Sequence, residues 1–165
     1  MFISITTMIK NSKPKKIITE HVEFISPNST KTNGSINIID SGIRSYDFIP
    51  SQYIDFSFMV NPLYMVNDNI DVRLVLETKI ADNSDMVKFK MELKEITKDV
   101  KLTEKELHIG SEGEITEWSI AKFKIKRLSK NPIYLGRITR VPCSNGHSNP
   151  IWVHGIKITY NVSNR

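Results

Sequence analysis

Cys143, His147 and His154 lie close in sequence and carry the side-chain types most often found on zinc. A structural zinc site takes four ligands at tight spacings. This chain has no second cysteine, so three soft ligands leave the set open. Cys143 and a neighbouring histidine are also the beginning of a nucleophile–base pair. Such a pair needs a third orienting group and an oxyanion site, and nothing recognisable around Cys143 supplies them. There is no Gly-x-Ser-x-Gly elbow and no phosphate-cradling glycine loop. Glu112, Glu114 and Glu117 sit together in a mixed turn and strand, not placed across a cleft as a glycosidase requires. The residues therefore predict a non-enzyme with no metal and no cofactor.

Aromatic residues offer binding chemistry instead. Trp152 adjoins a polar loop, 144–149, that contains His147, and Trp118 and Tyr134 are further candidates for contact with a ligand or partner. An exposed tryptophan stacks on a sugar ring or a base. The competing assignment is burial, since tryptophan is highly buried on average. Lys122, Lys124 and Lys126 form a basic row within a net charge of +5. No aromatic interleaves on that exposed face, so the stacking platform of a single-strand binder is missing and nucleic acid is not the expected partner. Interleaved acids elsewhere make the basic balance read as a solvated surface.

These residues must be positioned by strands. Ile54, Phe56, Phe58 and Val60 share one parity; Ile70, Val72, Leu74 and Leu76 share the next; Val87, Phe89, Met91 and Leu93 share a third. Charge falls on the off-beats, as in Asp71, Arg73, Lys88, Lys90 and Glu92. Apolar residues at period two predict strands buried on one face, and polar connections between them predict an antiparallel sheet. Only two alanines, Ala81 and Ala121, occur in 165 residues, which argues against a helical bundle. Ile18, Val22 and Phe24 read as the inward set of an earlier strand over 17–25. Residues 98–106 read as a short helical turn or a polar hairpin loop. Ala121, Phe123 and Ile125 face inward, opposite the lysine row. In the last strand, Ile151 and Val153 are odd while Ile156, Ile158, Tyr160 and Val162 are even. A β-bulge at His154–Gly155 reconciles the two halves.

The fold class expected is all-β: an antiparallel β-sandwich, jelly-roll-like, of roughly eight to ten strands. Residues 46–165 form the sandwich domain. Residues 1–45 form N-terminal strands or an arm, which can also belong to the sandwich. No apolar run reaches the ~20 residues of a membrane helix. The N-terminus lacks the basic region of a secretory signal, and the single cysteine predicts a reducing compartment.

The order Tyr46-Asp-Phe-Ile-Pro50, Ile54-Asp-Phe-Ser-Phe58, Asn61-Pro-Leu-Tyr64, the alternating runs at 70–76 and 87–91, Ile138-Thr-Arg140 and His154-Gly-Ile-Lys-Ile-Thr-Tyr160 resembles a known family. It is similar to the small β-sandwich domains of tailed-bacteriophage structural proteins in head fibres, tail fibres and other virion appendages, across residues 46–162. The resemblance implies a virion structural protein that works by assembly with other virion proteins, often as a trimer, and that sometimes contacts a host-surface glycan. Residues 1–9 fit that role as an assembly arm. Ile3 and Ile5 lie on one parity, Phe2 and Met8 on the other, and a strand apolar on both faces needs a neighbour on each. The alternative function is a carbohydrate-binding module or adhesin using exposed aromatics.

Overall fold

A computed structural model describes residues 17–27, 30–38, 44–65, 67–78, 86–95, 100–108, 115–125, 132–142 and 150–164. Phe2, Ile3, Ile5, Met8, Cys143 and His147 lie outside the described residues. The strands are β1 (Ile17–Ile25), β2 (Lys31–Thr32), β3 (Ser35–Ile38), β4 (Arg44–Phe48), β5 (Tyr53–Met59), β6 (Asn69–Thr78), β7 (Met86–Glu95), β8 (Val100–His108), β9 (Ile115–Lys124), β10 (Ile133–Val141) and β11 (Ile151–Asn164). They form two antiparallel sheets packed as a sandwich. One sheet runs β3-β4-β11-β6-β9, with β1 also on β11; the other runs β2-β5-β10-β7-β8.

The three alternating runs build the core between the sheets. Ile54, Phe56, Phe58 and Val60 are buried, as are Ile70 to Leu76 on even positions and Val87 to Leu93 on odd ones. Each buried side chain of this size contributes about 1.5–3 kcal/mol over leaving it in water. Ala121, Phe123 and Ile125 point inward and Lys122 and Lys124 outward, as the parity predicts. Ile120 is buried too, because the β6–β9 ladder carries a register shift between Val72 and Arg73. That bulge left no trace in the apolar pattern.

β11 is the spine of the six-stranded sheet. Ile151–Val153 pair with β4, and Ile156–Asn164 pair with β1 along the same edge. The opposite edge pairs with β6 through Thr159. Tyr64 then bridges to Val162 and extends the covering of that edge. The register shifts between Val153 and Gly155, so the expected bulge is present. It lets Ile151 and Val153 face the same core as Ile156, Ile158 and Tyr160.

Two expectations are corrected. Ile18, Val22 and Phe24 face outward, each about half exposed. Residues directly opposite in a ladder share a face, and β1 sets His21 against Tyr160, Glu23 against Ile158 and Ile25 against Ile156. The core-facing parity of β11 therefore turns the odd residues of β1 inward. Residues 98–106 fall largely in β8, a strand paired along β7 from Met86↔His108 to Lys94↔Val100, and not in a helical turn or loop. Within residues 1–45, β1, β2 and β3 all pair with sandwich strands.

Candidate functional site

The two outer faces of the sandwich differ in how their polar groups are engaged. On the six-stranded sheet, Asp71 accepts hydrogen bonds from Arg73 Nε at 2.9 Å and Ser119 Oγ at 2.6 Å. Glu117 accepts two from Lys157 Nζ, at 2.8 and 2.9 Å, and one from Arg73 at 3.5 Å. Lys157, followed by Arg73, holds the Glu117 carboxyl below its usual range. These charges are directed at each other along the sheet rather than at an incoming ligand.

The sequence candidates are not brought together. Trp152 is half-buried on the outer side of this sheet, opposite Asp47 on one strand and Glu77 on the other. Next to it His154 is buried, with Nε2 3.0 Å from Glu77 Oε2. Trp118 lies opposite Leu74 and packs partly against the core. Tyr134 is buried in an aromatic cluster, with ring centroids 5.3 Å from Phe58 and 6.0 Å from Phe123. Burial pushes its hydroxyl up to about 12. A side chain so placed shapes the core and offers no surface to a ligand.

The outer face of the five-stranded sheet is open. A groove of about 580 Å³ crosses it, lined by residues from β2, β5, β10 and β7 and by Thr30. The ladders fix its layout. One row runs Lys31–Asp55–Arg137–Glu92, and the next contains Ser57–Leu135–Lys94. Phe56, Leu93 and Gly136 belong to the floor between these outward residues. Leu135 is 46% exposed, an apolar surface in the middle of the sheet.

Arg137 is the most tightly held polar group there. Its Nε and Nη2 donate to the two oxygens of Asp55 at 2.6 and 2.8 Å. Its guanidinium carbon lies 4.1 Å from the centre of the Tyr53 ring. A guanidinium carries five N–H donors, so Asp55 takes two and three remain. The side chain is still 45% exposed. The arrangement presents fixed hydrogen-bond donors beside an apolar patch on a rigid sheet. Donors so placed can meet ligand oxygens, and the apolar surface can meet C–H groups.

No protein-family model matches the chain. No curated protein matches it in sequence. Solved structures do resemble it in fold. A family 35 carbohydrate binding module from Clostridium thermocellum superposes with a TM-score of 0.53 at 11% identity, covering 84% of this chain and 97% of that one. The fold resembles that of carbohydrate-binding modules. The xylan-binding module CBM15 gives a TM-score of 0.52 at 10% identity, over 86% of this chain and 97% of that one. Infectious bursal disease virus, Gx strain, gives 0.42 at 9% identity; that match covers 98% of this chain but only 36% of the viral one.

The groove residues carried no mark in the sequence. Asp55 and Arg137 are 82 positions apart, and each reads as an ordinary off-beat charge on a strand. Only the pairing of β5 with β10 places them side by side.

Proposed function

We propose that this chain is a carbohydrate-binding module whose ligand lies in the groove across β5, β10 and β7. The observation that carries the reading is Arg137, locked onto Asp55 and Tyr53 with three donors left, beside the exposed Leu135. The likeness to two carbohydrate-binding modules supports the scaffold. The chain acts by binding: the two groove carboxylates are each engaged by a cation, Asp55 by Arg137 and Glu92 by Lys90 at 2.8 Å. In this reading the ligand lies on the five-stranded sheet and not at Trp152 on the opposite one. Affinity electrophoresis against a set of polysaccharides tests this. Leu135→Asp and Arg137→Ala should each abolish retardation in a protein that still unfolds cooperatively, and Trp152→Ala should leave it intact. Loss of binding in Trp152→Ala alone would move the site to the six-stranded sheet.

A second reading, a structural subunit of a virion, rests on a different observation. Ile18, Val22 and Phe24 make an exposed apolar strip on β1, and exposed strips of this kind are normally covered. The solution mass by light scattering tests it. Self-association that disappears in Val22→Lys/Phe24→Lys supports assembly, and a monomer at all concentrations removes it.

A further inference from the structure

The charges of the groove are not equally engaged. Its two acids are both occupied, Asp55 by the bidentate Arg137 and Glu92 by Lys90. Its two lysines, Lys31 and Lys94, are exposed and have no ion-pair partner among the described residues. Arg137 adds three further donors, its charge balanced by Asp55. The groove charges that lack an ion-pair partner among the described residues are therefore the two lysines, both positive.

The spacing adds a second constraint. Lys31 stands on β2 and Lys94 on β7, three strand steps apart in the order β2-β5-β10-β7. Adjacent strands are about 4.8 Å apart, which separates these two backbones by roughly 14 Å. One small anion does not reach both. A polymer lying across the strands does, if it carries acidic groups at intervals.

We infer that the ligand of this groove is an acidic polysaccharide, with carboxylate groups taken by Lys31 and Lys94 and a sugar ring between them on Leu135 and Arg137. This rests on the carbohydrate-binding reading and narrows it to a charge class.

The test uses the full chain and a panel of uronate-containing polysaccharides: polygalacturonate, alginate and glucuronoxylan, each beside its carboxyl-reduced, neutral form. The same backbones then differ only in the acid. Titration calorimetry at two salt concentrations should show binding to at least one acidic polymer, at least tenfold weaker on its reduced form and weaker at high salt. Lys31→Gln/Lys94→Gln should lower affinity for the acidic polymer by about three- to tenfold, the scale of two exposed charge contacts. It should not change the thermal midpoint. Equal binding to acidic and neutral forms overturns the charge inference and leaves the carbohydrate reading standing. Binding to no member of the panel, or to neutral xylan alone, also overturns it. Failure on neutral and acidic glycans alike removes the underlying reading as well.

Discussion

The ring of Phe56 occupies the space that a side chain at Gly136 would need: a Cβ there would stand 2.2 Å from Phe56 Cζ. The two residues are directly opposite in the β5–β10 ladder. A glycine normally weakens a strand; here it admits a large ring beneath the groove. Gly136→Ala should destabilise the protein by about 1–3 kcal/mol through overpacking. Urea unfolding with an unchanged slope would register it. A neutral result would mean that Phe56 swings aside at little cost.

Asp55→Asn should loosen Arg137 without removing it. The mutant keeps the shape of the pair and loses its charge. Ordering a free arginine on binding costs roughly 0.5–1.5 kcal/mol, so affinity for a neutral, carboxyl-reduced glycan, where the added positive charge has no effect, should fall about two- to tenfold. Stability should change little, because the pair is partly exposed and screened by solvent. Calorimetry and thermal melts separate the two effects, and an affinity equal to the parent protein would show that the clamp has no part in binding.

Arg140 is buried at the end of β10, and its Nη1 donates to the carbonyl oxygen of Phe48. It links the two sheets, since β4 belongs to one and β10 to the other. Arg140→Leu keeps an apolar stem and leaves that carbonyl without this donor, at a cost of about 1–3 kcal/mol. Chemical denaturation measures it. A more stable Arg140→Leu would show that the cost of burying the cation exceeds what its contacts return.

Two tyrosines set an alkaline limit. Burial pushes the hydroxyls of Tyr46 and Tyr134 up to about 12, from an ordinary 10. The unfolded chain ionises first, so the stability they contribute is complete below pH 10 and falls as the pH rises from 10 to 12. A shift of this size corresponds to roughly 2–3 kcal/mol for each tyrosine. Tyrosinate absorbance and loss of β-sheet ellipticity should rise together in that window. Tyr134→Phe should shift the transition to higher pH; a Tyr134→Phe protein that unfolds at the same pH as the parent would contradict the role given to Tyr134.

The core was legible in the sequence and the groove was not, for one physical reason. Ile54 to Val60, Ile70 to Leu76 and Val87 to Leu93 repeat every second residue because each strand meets the core on one face. That pattern is local. The face of β1 is set by its partner: Ile18, Val22 and Phe24 look like an inward set until β11 brings Tyr160 and Ile158 against the other parity. β8 is rich in Lys and Glu and shows no apolar alternation of its own. Its ladder sets Lys90 opposite Glu104 and Lys88 opposite Glu106, an arrangement visible only once β7 is beside it. Arg137 and Asp55 belong to the same class of non-local facts, and so does Trp152, whose burial depends on strands far from it in the chain.

β11 also dictates the order in which the molecule can be made. It is the last described strand to be synthesised, yet β1, β4 and β6 all hydrogen-bond to it. Before it emerges, β1 has no pairing strand among those described, β4 has only β3, and β6 has only β9. The five-stranded sheet, complete at β10, can form on the nascent chain; its partner sheet cannot. Closing contacts between Ile17 and Asn164 means bringing together the two ends of the described chain, which places folding in the slow, millisecond-to-second range of non-local β topologies. Until then the apolar inner face of the first sheet waits uncovered, and a chain shortened before Ile151 is left with that face as a surface for aggregation.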